Sequence, residues 1–183
     1  MKSICVFCGS SDAVADEYKK AAFQTGAVLA RNGIRLIYGG GKTGLMGQVA
    51  DGSLSAGGET VGITIPYMNT VALGHTSLTR LETVPDMHAR KARMHELSDG
   101  YIALPGGFGT LDELFETIAW AQTGAHEKPV GLLNTKNYYA PLLAVFPEHR
   151  RAIALETDPL KLLESMRDYE HPREAVRRWM KEE

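Results

Sequence analysis

Arg35-Leu-Ile-Tyr-Gly-Gly-Gly-Lys-Thr-Gly-Leu-Met-Gly47 opens as an apolar run, breaks into glycine, and resumes at Leu45 with a pattern that suits a helix. Its GKT ending is the tail of a triphosphate-binding loop. That loop requires glycine, four further residues, and then Gly-Lys-Ser/Thr. Counting back from Gly41 puts the first glycine at position 36, where Leu36 stands. The triphosphate pattern is therefore incomplete, and the stretch reads as strand, glycine loop, helix.

The same unit repeats along the chain. Short apolar runs predict strands over 3–8, 35–38, 60–65, 78–84, 100–104, 130–134 and 153–156. Helical patterns fall between and after them, over 13–32, 45–56, 87–98, 111–124, 138–146, 159–167 and 173–181. Gly33, Gly57-Gly58 and Gly124 stand where helix C-terminal caps belong. Alternating strands and helices, with strands apolar on both faces, imply an open parallel α/β sheet with helices on both faces. No linker or repeat interrupts the pattern, so residues 1–183 read as one domain. The longest irregular stretch, 66–77, has the character of a mobile flap over a site.

Composition narrows the function. The chain has 183 residues, 44% hydrophobic and 23% charged, which suits one globular domain with a continuous core. A formal charge of −2 leaves no basic excess for nucleic acid. The N-terminal apolar run is too short for a signal peptide, and no stretch approaches the ~18 apolar residues of a membrane span. These features point to the cytoplasm. Cys5 and Cys8 form a CxxC inside a predicted strand, where side chains alternate and residues three apart face opposite ways. Two buried thiols are expected, with no disulfide and no metal. His88 and His95 lack a third ligand at suitable spacing.

In an open parallel sheet, ligands bind beyond the carboxyl ends of the strands. Gly9-Ser10-Ser11, Gly39-Gly40-Gly41 and Pro105-Gly106-Gly107-Phe108-Gly109-Thr110 each follow a predicted strand and so share one edge. Glycine there lets backbone approach a ligand and leaves N–H groups outward. The third loop opens a helix, whose free amides and dipole attract phosphate. Thr110-Leu-Asp-Glu113 also fits a capping box, which would employ Thr110 and Glu113 without chemistry. On the preceding helix, Met87, Arg90 and Met94 share a stripe. An arginine among methionines either needs an anionic partner or snorkels to solvent.

Val84-Pro-Asp-Met-His-Ala-Arg-Lys-Ala-Arg-Met94 resembles the MHxRKxxM helix, and Pro105-Gly-Gly-Phe-Gly-Thr-Leu-Asp-Glu113 the PGGxGTxxE loop, of the LOG ("lonely guy") proteins. These are cytokinin riboside 5′-monophosphate phosphoribohydrolases, often labelled lysine decarboxylase-like, although no pyridoxal-phosphate lysine signature is visible here. The likeness runs from about Lys2 to about Pro172 and includes Phe7-Cys-Gly-Ser-Ser11 and Gly39 to Gly47. Residues 66–77 match the family less well.

The resemblance implies a Rossmann-like fold, a homodimer, no cofactor, and hydrolysis of the N-glycosidic bond of adenine-type nucleoside 5′-monophosphates, AMP among them. It assigns catalysis to Arg90 and Glu113. Substrate contact falls to the same two and to Gly9, Ser10, Gly40, Gly41, Met87, Lys91, Gly106, Gly107, Phe108, Gly109 and Thr110. Removing either Glu113 or Arg90 is expected to abolish most turnover and leave the fold intact. Two other readings fit the glycine loops: a nucleotide-sensing module without catalysis, and a broad-specificity nucleotide nucleosidase.

Overall fold

Each strand of the sheet is short, all but one edge strand are largely apolar, and each delivers its chain into a loop on the same edge. The computed structural model describes residues 1–145 and 152–172. In chain order the elements are β1 (Ser3–Phe7), α1 (Asp16–Arg31), β2 (Arg35–Tyr38), α2 (Gly44–Ser55), β3 (Thr60–Thr64) and β4 (Arg80–Thr83). There follow α3 (Met87–Glu96), β5 (Tyr101–Ala103), α4 (Phe108–Gln122), β6 (Val130–Leu133), α5 (Ala140–Val145), β7 (Ala154–Glu156) and α6 (Pro159–Arg167). The helix expected over 173–181 lies outside the described residues, as does the last residue of the one expected over 138–146.

All pairings are parallel, in the order β4-β3-β2-β1-β5-β6-β7. The alternation of β1 builds two cores. Ile4 and Val6 pack with Leu29 of α1, Leu45 and Val49 of α2, and Leu162 and Leu163 of α6. Cys5 and Phe7 face Met94 of α3, Leu114 of α4 and Tyr139. Burying each large aliphatic side chain contributes roughly 1.5–3 kcal/mol, so the sheet is held from both faces. Cys5 and Cys8 are free, buried, and belong to opposite cores.

One strand expectation shifts. The strand expected over 78–84 shortens to Arg80–Thr83 and is mostly exposed, because it is the sheet's edge. Arg80 and Glu82 pair across 2.8 Å and place charge there, which discourages pairing with another strand. The glycine caps appear as expected: Gly33, Gly57 and Gly124 follow α1, α2 and α4 with φ of 67°, 76° and 78°.

Candidate active site

The strand order reverses at β1 and β5: the chain runs outward from β1 through β4, then returns to pair β5 on β1's other side. A crevice opens beyond the carboxyl ends of such a pair. The loops lining it touch. Gly9 N–H donates to the Pro105 carbonyl at 3.1 Å, and Leu104 N–H to the Phe7 carbonyl at 2.9 Å.

The third glycine loop differs from its sequence reading. α4 starts at Phe108, three residues earlier than expected, with extended Gly107 as its N-cap and no side-chain cap. Thr110 therefore lies inside the first turn and is buried, so the capping box does not form. A cap without a side chain suffices because Gly107 O already accepts Leu111 N–H at 3.0 Å. Among the described residues, the amides of Gly107, Phe108, Gly109 and Thr110 donate to no protein acceptor. Gly107, Phe108 and Gly109 are exposed, Phe108 to 93%, while Thr110 lies buried behind them. This is a positive helix end free to meet an anion.

Arg90 and Glu113 meet just inside. α3 is capped by Asp86, whose carboxylate accepts Ala89 N–H at 2.8 Å, and this sets the helix that carries Arg90. Arg90 is buried, with Nε donating to the Ile63 carbonyl at 2.9 Å and Nη2 to the Gly39 carbonyl at 3.0 Å. Its Nη1 is left facing Met87 Sδ and Glu113 Oε1, each at 3.6 Å. The guanidinium thus finds the anionic partner that its methionine stripe demanded. Gly39 allows the approach, since a Cβ there would collide with Nη2. Burial pushes the Glu113 carboxyl up to about 7, against the opposing pull of Arg90. Glu113 follows Thr110 by three positions, about 4.5 Å along the helix axis, so its backbone lies just under one turn from the last of the free amides and its side chain leans back toward them.

Lys91 has a different position from Arg90. Its ammonium pairs with Asp112 at 3.1 Å and Glu116 at 3.0 Å, tying α3 to α4. Partial burial lowers its pKa, but the hydrogen bonds to Glu116 and Asp112 outweigh it and hold the group protonated. A Schiff-base lysine needs the opposite shift. His95, behind α4, bonds Tyr101 Oη at 2.9 Å and is pushed down to about 4 by burial, so it remains neutral.

The second glycine loop is bound to the 66–77 segment, which was expected to be a mobile flap. Lys42 N–H donates to the Leu73 carbonyl, His75 N–H to the Gly40 carbonyl, and Gly41 bridges Gly74. The lysine of the GKT string donates to the Val71 carbonyl at 2.6 Å. The amino end of α2 is also occupied. Asp12 accepts Gly44 N–H at 2.8 Å, and the Gly9 carbonyl accepts Leu45 N–H at 2.9 Å. Of the two glycine-led helix ends, α4's is the open one, and Ser10 sits exposed between them.

Two tyrosines escaped the sequence reading. Tyr138 Oη donates to the Gly106 carbonyl and Tyr139 Oη to the Leu104 carbonyl, both at 2.6 Å. Their adjacency after β6 was the available signal, but nothing local ties that loop to β5.

The family described as "Possible lysine decarboxylase" matches residues 46–177. The chain is 40% identical over 185 residues to the cytokinin riboside 5′-monophosphate phosphoribohydrolase LOG1 of Arabidopsis thaliana, covering 96% of this chain and 87% of that protein. It is 47% identical over 150 residues to the cytokinin riboside 5′-monophosphate phosphoribohydrolase of Rhodococcoides fascians, covering 81% and 75%. In fold it resembles the molybdenum cofactor binding protein of Rippkaea orientalis, with a TM-score of 0.72 and 24% identity over 92% of this chain and 97% of that one.

Proposed function

This chain belongs to the family described as "Possible lysine decarboxylase", whose relatives above are named phosphoribohydrolases, and from that membership we propose its reaction. It is a hydrolase that cleaves the N-glycosidic bond of adenine-type nucleoside 5′-monophosphates to free base and ribose 5-phosphate. The carrying observation is the Arg90–Glu113 pair, buried one helical turn from the unpaired amides of α4.

The 5′-phosphate docks on the amides of Gly107 to Thr110, with Gly9, Ser10 and Gly106 lining the approach and Gly40, Gly41 and Met87 walling the far side. One pentose ring then brings C1′ to Glu113. Bond breaking passes through an oxocarbenium-like cation, as in glycoside hydrolysis. The carboxylate of Glu113 stabilises that cation and accepts a proton from the attacking water, whose oxygen bonds C1′. The electron pair of the C1′–N bond leaves with the base, which takes a proton from solvent. Arg90 spends two of its three nitrogens on the Ile63 and Gly39 carbonyls. That favours a role beside Glu113 at the reacting centre over one on the phosphate. Lys91 acts by holding α3 against α4 rather than by touching substrate.

The test is product analysis with AMP beside its N6-isopentenyl counterpart: free base and ribose 5-phosphate from either supports the reading. Binding without base release would make the chain a nucleotide sensor. Equal rates across purine and pyrimidine monophosphates would make it a broad nucleosidase. Phe108 and Trp120, exposed on α4, suit a homodimer, which light scattering checks. Free Cys5 and Cys8 suit a reducing, cytoplasmic setting.

A further inference from the structure

Between β6 and α5 the backbone takes an improbable path. Lys136 and Asn137 are both left-handed, with φ of 53° and 58°, a conformation that L residues other than glycine seldom adopt. Such strain persists where surrounding contacts over-determine it. Here they do. The Asn134 carboxamide oxygen accepts Tyr139 N–H at 2.8 Å, and Lys136 Nζ donates to Glu17 at 2.7 Å. The Tyr138 ring stands edge-on to Tyr18 of α1, their centroids 6.0 Å apart. The outcome of that path is that two consecutive tyrosines reach the same loop.

We propose that Tyr138 is a positioning residue for the substrate's 5′-phosphate, acting through the Gly106–Gly107 peptide that its hydroxyl holds by the Gly106 carbonyl. The inference rests on the reading of α4's amino end as the phosphate site. In a trans peptide the carbonyl and the following N–H point in opposite directions, and the chain has no cis peptide bond among the described residues. Holding Gly106 O toward Tyr138 therefore aims the Gly107 N–H away from it, toward the crevice. Tyr139 anchors the loop two residues earlier, where the following Pro105 has no N–H to aim. It holds the Leu104 carbonyl while Gly9 N–H holds the Pro105 carbonyl, and Leu111 N–H takes that of Gly107. Every carbonyl from Leu104 to Gly107 is thus fixed from behind. Of these anchors only the Tyr138 hydroxyl is at the surface, with the residue 40% exposed, so its removal leaves both cores untouched.

The experiment compares wild type and Tyr138→Phe by calorimetric titration with ribose 5-phosphate and, separately, with adenosine, which lacks the phosphate. Loss of one orienting hydrogen bond is expected to weaken ribose 5-phosphate binding about five- to tenfold. Adenosine affinity and melting temperature should not move. In wild type the Gly107 amide resonance shifts on addition of ribose 5-phosphate, and in the variant that shift shrinks. Equal ribose 5-phosphate affinities overturn the proposal, and so does an equal loss for both ligands, which would mark a general structural defect. Failure of the wild type itself to bind ribose 5-phosphate overturns the phosphate-site reading and this inference with it.

Discussion

Arg90 Nη1 and Glu113 Oε1 stand 3.6 Å apart, an ion pair beyond hydrogen-bond length and largely shielded from water. Both partners are anchored from other directions, Arg90 by two main-chain carbonyls and Glu113 by its helix. The pair is therefore a fixed charge couple with room for the carboxylate to engage a third group.

Glu113→Gln keeps the shape and removes the charge. Because no capping box forms, the side chain has no structural duty at the helix end. Losing one transition-state partner should lower kcat on the order of 10²–10³-fold. Stopped assays on AMP with circular dichroism of the variant check both halves; near-normal turnover would remove Glu113 from the mechanism.

Arg90→Ala should also abolish most turnover, but the fold will not be spared as its sequence suggested. The guanidinium satisfies the Ile63 and Gly39 carbonyls, and stranding buried acceptors costs about 1–3 kcal/mol each. Urea unfolding should show the loss. Gly39→Ala is the gentler probe: its Cβ meets Nη2 and displaces the guanidinium without deleting it. We expect turnover to fall further than stability, measured on the same samples.

Glu113 titrates near neutrality because burial resists its ionisation. If the carboxylate is the working form, kcat falls as pH drops through about 7. Stability runs the other way. The native state holds its proton above the ordinary carboxylate range, so between about 4.5 and 7 it binds more protons than the unfolded chain. Stability from this group is present at low pH and is lost as pH rises through that window, by about 3 kcal/mol at most. Melting curves from pH 5 to 8 should show the decline in wild type and a flatter profile in Glu113→Gln.

Lys91→Gln leaves Asp112 and Glu116 uncompensated on either side of Glu113. Lys91 is among the charges that lower the Glu113 pKa, so its removal should move the acidic limb of the kcat profile to higher pH. A limb that stays in place would confine Lys91 to bracing α3 against α4.

Much of this is legible in the sequence. The alternation of short apolar runs with capped helices gives the sheet, because continuous apolar runs and glycine caps are local signals. β2 and α6 have the predicted bounds for that reason. The Arg90 stripe was readable as a charge wanting a partner. What escaped was non-local. Nothing near Tyr138 announces Gly106, 32 residues away. Thr110 looked like a cap because its side chain fits one, yet Gly107 caps by backbone alone. Residues 66–77 looked loose because what holds them lies far off in sequence: the main chain of Gly40 and Lys42, the Lys42 ammonium and the Asp51 carboxylate.

Asp12 carries a consequence for the cell's commonest nucleotides. Its carboxylate already occupies the amino end of α2, so of the two glycine-led helix ends among the described residues only α4's is open to an anion, with an acidic side chain at the other. A lengthening phosphate tail that strays toward α2 meets repulsion where a triphosphatase would supply welcome. A nucleoside 5′-triphosphate is therefore expected to dock in this crevice less well than a monophosphate.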